Sequence, residues 1–83
     1  MYYVYALFNK EHNKIYIGQT ENIAERVLAH NNHSFDRSYT ARYSGEWKLF
    51  YIEEFNTRSE ALKREKQLKS YRGREFIKQI IPR

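Results

Sequence analysis

Two short tyrosine-rich apolar runs lie near the start of the chain, and the second alternates with polar positions. Residues 2–8 (Tyr-Tyr-Val-Tyr-Ala-Leu-Phe) are β-branched and aromatic, and too short for an isolated helix, which predicts a strand. Asn9 to Asn13 reads as a polar turn, and Lys14-Ile15-Tyr16-Ile17 alternates into a second strand ended by Gly18. Two strands with so short a link predict an antiparallel hairpin. Tyr3 and Tyr5 then share one face of the first strand, and Tyr16 points away from Ile15 and Ile17 on the second. Asn22-Ile-Ala-Glu25 has the form of a capping box and predicts a helix to about Asn31. Ile23, Val27 and His30 recur at i, i+4 and i+7, giving that helix one inward face.

Residues 31–46 carry the weakest pattern, polar but punctuated by Phe35, Tyr39 and Tyr43, and fit a loop or a short irregular helix. Trp47 to Phe55 reads as a third strand, expected at the sheet centre because of its apolar density. Thr57-Arg-Ser-Glu60 is a second capping box, opening a helix from about 58 to 71 that Gly73 is expected to break. Phe76, Ile77, Ile80 and Ile81 mark a last short helix ended by Pro82. The order β-β-α-β-α-α predicts an α+β fold, a small three-stranded antiparallel sheet flanked by helices. A chain of 83 residues with no repeat or linker is expected to form one domain, 1–83.

Composition narrows the function classes. With no cysteine, neither disulfides nor a thiolate zinc site can brace the fold, so the small core leans on 8 Tyr, 5 Phe and 1 Trp. No apolar run approaches the roughly 20 residues of a membrane span, so no membrane partner is expected. Met1 leads straight into strand-like sequence, leaving no room for a secretion signal, and a cytoplasmic protein is the expectation. The net charge of +5 is unevenly placed: residues 1–57 hold 6 basic and 7 acidic side chains, whereas residues 58–83 hold 9 and 3. A basic last third on an otherwise neutral chain points to a polyanion, or to an ordinary solvated lysine-rich helix pair.

One residue contradicts its surroundings. In the helix from 58, Glu65 lies four after Ala61, three after Leu62 and three before Leu68, on the face expected to be buried. An unpaired carboxylate taken out of water costs several kcal/mol, whereas helix propensity differs by tenths, so propensity cannot account for it. Compensation must come from a cation. Either Arg26, at the edge of the first helix's apolar face, forms an ion pair with Glu65, or Glu65 holds a divalent ion while Arg26 meets a phosphate. His30 follows Arg26 by one helical turn, so both can face one ligand, or His30 simply caps the core. A phenol of pKa near 10 is a poor base unless cations ease its proton away, and Arg26 with a metal on Glu65 would provide them. His12 and His33 have no second ligand at useful spacing for zinc.

The order Tyr3-Val4-Tyr5, then Tyr16-Ile17-Gly18, then Arg26, His30 and Glu65 resembles the GIY-YIG nuclease superfamily. Tyr51-Ile-Glu-Glu-Phe and Ser59-Glu-Ala-Leu-Lys-Arg-Glu-Lys-Gln-Leu-Lys look like its small stand-alone bacterial members, which are similar to the nuclease module of excision-repair and homing endonucleases. The resemblance implies a divalent-metal-dependent endonuclease acting on DNA. Glu65 would hold a single Mg²⁺ or Mn²⁺, Tyr5 or Tyr16 would help activate water, Arg26 would stabilise phosphoryl charge and His30 would move protons. Tyr3 stands at the family's usual first glycine, Gln19 where some members have lysine, and Ile77 where many have asparagine. Lys63, Lys66, Lys69, Arg72 and Arg74 are the expected DNA contacts, with branched or damaged DNA among the candidate substrates and a monomer or homodimer acting. Two other readings stay open: a non-catalytic nucleic-acid-binding module and a protein-interaction adaptor.

Overall fold

The computed structural model describes residues 1–32 and 42–82. Its elements are β1 (Tyr2–Asn9), β2 (Lys14–Thr20), α1 (Ile23–Asn31), β3 (Trp47–Phe55), α2 (Arg58–Lys69) and α3 (Tyr71–Gln79), the expected α+β order. Of the weakly patterned stretch, residues 33–41 lie outside the described residues. Asn13 closes the hairpin at φ 54°, a left-handed conformation that Asn tolerates, and β1 pairs with β2 antiparallel from Tyr3↔Thr20 to Asn9↔Lys14. Both capping boxes form: Asn22 accepts from the Glu25 amide at 3.0 Å, and Thr57 from the Glu60 amide at 3.2 Å.

The sheet order is β2-β1-β3, so β1 is the central strand and β3 lies at an edge. This overturns the expectation that β3 sits centrally. A central strand is covered on both faces, and every residue from Val4 to Asn9 is buried, whereas β3 leaves Lys48, Ile52 and Glu54 exposed. The apolar density of β3 has another cause. Between Ala6↔Tyr51 and Leu7↔Leu49 the β1–β3 register slips, leaving Phe50 as a bulge. The extra residue reverses which face the alternating side chains take. Trp47 and Leu49 pack with Tyr5 and Leu7, while Phe50, Tyr51 and Phe55 pack with Val4, Ala6, Ala61, Leu68 and Ile77. One strand thus supplies both layers of the core. Asn31, last in α1, ties that layer to β3 by accepting from the Trp47 amide at 2.8 Å and donating to its carbonyl at 3.0 Å.

The second helical break is also placed differently. α2 stops at Lys69, and Ser70 caps both helices: its hydroxyl receives the Gly73 amide at 3.3 Å and so opens α3. Gly73 lies inside α3 rather than ending α2. A Cβ there would collide with the Gln67 carbonyl oxygen and the Leu68 Cα, so glycine permits the close turn between the two helices. Ile77, at the family's usual asparagine position, is fully buried in the core, while Phe76 and Ile80 are partly exposed. Leu62, expected on the inward face of α2, is 44% exposed; Ala61 and Leu68, seven apart, carry that face. On its β3 side α2 is clamped by Arg64, whose guanidinium grips the Glu53 carboxylate at 2.9–3.1 Å.

Candidate active site

Tyr5 occupies the middle of β1 on the face covered by α1, and Gly18 is its partner across the hairpin. Because Gly18 has no side chain, the Tyr5 and Tyr16 side chains close over it: a Cβ there would fall 2.7 Å from the Tyr5 hydroxyl and 2.8 Å from Tyr16 Cε2. His30, in the last turn of α1, completes the cluster. Its Nε2 lies 2.9 Å from the Tyr5 hydroxyl, and its ring centroid 4.7 Å from that of Tyr16. Tyr5 and His30 are each only 1% exposed, whereas Tyr16 is half-buried and reaches outward.

Burial sets the protonation of both groups. It pushes the Tyr5 phenol well above its ordinary pKa of 10; Tyr16 and Glu65 add to the rise and the Arg26 charge opposes it. It lowers His30 to about 4, with the Arg26 charge acting in the same direction. At neutral pH the pair is therefore a neutral phenol against a neutral imidazole. In the tautomer protonated on Nδ1, the Tyr5 O–H donates to Nε2.

Arg26 and Glu65 flank this cluster from opposite layers. Arg26 stands on α1 one turn before His30, half-buried, and lines an open groove of about 760 Å³ together with Gln19, Glu25 and Arg58. Glu65 is on the inward side of α2, its side chain 19% exposed, and receives the Lys69 ammonium at 2.8 Å on Oε2. Its ion-pair partner is thus Lys69, not Arg26. Both Arg26 and Glu65 act electrostatically on the Tyr5 hydroxyl, so the two charges share one field with the buried pair. All five residues singled out in the sequence fall in this region: Tyr5, Tyr16 and His30 in ring contact, Arg26 and Glu65 at its margins.

The basic residues divide. Lys63, Lys66, Lys69, Arg72 and Arg74 are all exposed, but only Lys69 and Arg74 join Tyr16 around a second groove. Sequence reading passed over Arg58 beside Arg26, and Lys14 and Lys78 around the second groove, because spacing along the chain does not show which elements meet. Gly18, expected to end the second strand, instead lies inside β2, which runs on to Thr20; a glycine within a strand marks such a close approach.

For a metal, the described residues offer no group of three or more His, Asp or Glu side chains. Glu65 is a single carboxylate whose Oε1 accepts no hydrogen bond from the described residues. One hard oxygen donor of this kind fits Mg²⁺ or Mn²⁺, since Mg²⁺ keeps most of its waters and takes few protein ligands.

A three-stranded antiparallel sheet in the order β-β-α-β-α-α, with two tyrosines gathered over its first hairpin, defines a class of small catalytic domain. The model of the GIY-YIG catalytic domain matches residues 1–77, and the chain belongs to that family. It is similar to the UPF0213 protein of Staphylococcus saprophyticus, 34% identical over 79 residues that cover 95% of this chain and 93% of that one. The UPF0213 protein of Clostridium perfringens is 42% identical over 69 residues, 83% of this chain and 71% of its own. The solution NMR structure of a UPF0213 protein from Bacillus halodurans matches with a TM-score of 0.54 at 29% identity, covering 95% of this chain and 84% of that one.

Proposed function

We propose that residues 1–83 act as one nuclease domain, a divalent-metal-dependent endonuclease that hydrolyses DNA phosphodiester bonds with structure-selective or weak sequence preference. The observation that carries this reading is the buried Tyr5–His30 hydrogen bond, held against Gly18 and within the fields of Arg26 and Glu65. Membership of the GIY-YIG family supports a nuclease and a nucleic-acid substrate.

Glu65 would hold the ion, which when bound supplies charge to draw a phosphate and ease deprotonation of water. Tyr5, kept protonated by burial, accepts a proton from the attacking water only as it passes its own to His30 Nε2. His30 Nε2 is unprotonated at neutral pH and so open to that proton, while the burial and the Arg26 charge that keep it neutral also make it a weak base. Tyr16 packs on the imidazole and holds its orientation, and Arg26 would balance charge developing on the phosphoryl oxygens.

The test is cleavage of plasmid, branched and single-stranded DNA in Mg²⁺ or Mn²⁺, beside Glu65→Gln, with ion binding followed by calorimetry. Glu65→Gln is expected to lose cleavage by about 10²-fold or more together with its ion affinity. Retention of both would remove Glu65 from the reaction. A second reading, a non-catalytic DNA-binding module, is favoured by the Lys69 ammonium, which already neutralises Glu65 in part. It predicts DNA retardation without metal and no cleavage by either protein.

A further inference from the structure

Grooves open at both ends of the edge strand β2. The groove of Arg26 takes Gln19 and Thr20 from the end of the strand and Arg58 from the start of α2. A second, of about 470 Å³, takes Lys14 to Ile17 from the start of the strand and Lys69 from the end of α2. Along α2, Glu65 lies between Arg58 and Lys69, and the three recur at i, i+7 and i+11 on one side of the helix. The proposed ion ligand therefore stands between the grooves. Their charges differ. In the first, Arg26 and Arg58 face Glu21 and Glu25. In the second, the charged lining among the described residues is wholly cationic: Lys14, Lys69, Arg74 and Lys78.

We infer that the second groove is a phosphate clamp, gripping the DNA backbone on one side of the phosphate that is cut. The inference rests on the endonuclease reading and names where its substrate is held. Four cations brought together from β2, α2 and α3 repel one another, and a polyanion would offset that repulsion. Lys63, Lys66 and Arg72 are exposed on the same two helices and line neither groove, so a soluble helix surface does not require the convergence. Beneath the cations Ile17 and Ile77 are buried in the core, and the Tyr16 ring turns to His30. The groove thus offers charge to phosphates and no stacking face to bases, which suits positioning rather than sequence readout. The seven residues of β2 extend roughly 20 Å, and a B-form strand carries one phosphate per about 3.4 Å of axis, so several phosphates fit beside this edge. Partners already present do not close the clamp. Lys78 pairs with Glu75 at 3.7 Å, both exposed, a pair weak enough for a phosphate to compete. Arg74 is steadied by donating from Nε to the Lys69 carbonyl oxygen at 3.1 Å. The balanced charges of the Arg26 groove make the grip one-sided.

The experiment measures binding of a labelled blunt duplex in EDTA across a salt series. It compares the full chain with two variants that each remove two positive charges. Lys14→Ala/Lys78→Ala empties the groove, and Lys10→Ala/Lys48→Ala removes exposed lysines that line neither groove. The groove variant is expected to bind about tenfold more weakly, with a salt slope shallower by about 0.9 for each lost phosphate contact. The other variant should stay near the full chain. Equal losses in the two variants, or no loss in either, would overturn the inference. Where alanine lowers the melting temperature, Lys14→Gln/Lys78→Gln repeats the comparison with the side-chain stems kept. Cleavage in Mg²⁺ by the same proteins separates the clamp from the reading beneath, and the groove variant should show a raised KM with kcat kept. Selective loss of binding without cleavage by any of the proteins supports the clamp and removes the endonuclease. Cleavage with KM unchanged in the groove variant keeps the endonuclease and removes the clamp.

Discussion

A Cβ at Gly18 would approach the Tyr5 hydroxyl and Tyr16 Cε2 to under 3 Å, closer than side chains pack, and both tyrosines are held from behind. Tyr5 is bonded to His30, and Tyr16 packs at a tilt against the same ring, so neither phenol can retreat without disturbing the other. Gly18→Ala is therefore expected to cost about 1–3 kcal/mol in denaturant melts. The same displacement, on the order of 1 Å at the Tyr5 hydroxyl, should lower DNA cleavage by about 10²-fold. A variant that keeps wild-type cleavage would show that the tyrosines need not close over the hairpin.

The helix pair α2–α3 presents the same logic in backbone form. Alanine ordinarily favours a helix interior over glycine by about 1 kcal/mol, and Gly73 lies within α3. Its added methyl, however, would strike the Gln67 carbonyl and Leu68 Cα, atoms that cannot rotate aside. Overpacking of about 1–3 kcal/mol outweighs the propensity gain, so Gly73→Ala should lower the urea midpoint rather than raise it. The sequence made the hairpin, both capping boxes and Glu65 legible because those signals are local. It misplaced β3 at the centre because one bulge lets Trp47, Leu49, Tyr51 and Phe55 serve two layers, which looks like two-sided burial. It misplaced the helix break at Gly73 because serine as a shared cap is quieter than glycine as a breaker. The cluster of Tyr5, Tyr16 and His30 was legible only through its resemblance to a family, since residues on β1, β2 and α1 meet by tertiary packing.

For the molecule as a whole, acid should be felt through His30. The folded chain holds this imidazole neutral down to about 4, while the unfolded chain protonates it near 6.5. Between those values the unfolded state binds more protons, so stability falls as pH drops from about 6.5 to 4 and is insensitive to this group above that window. The loss reaches at most about 3 kcal/mol. Thermal melts across pH 4–8 should show this slope, and His30→Gln should flatten it; an unchanged slope would assign the acid sensitivity elsewhere. Charge works on a longer range. The basic side chains of α2 and α3, apart from Arg64, which pairs with Glu53, are all exposed.

The bidentate grip of Asn31 on Trp47 has a consequence for how this chain tolerates change. Asn31 directly follows His30, and its amide copies one rung of a sheet ladder against the first residue of β3. The end of α1 and the start of β3 are thereby joined directly to each other. The imidazole's position is thus braced by its neighbour, which is stapled to the edge strand. Loss of the Asn31 side chain would unfasten the end of α1 from the edge of the sheet, and with it the hold on His30.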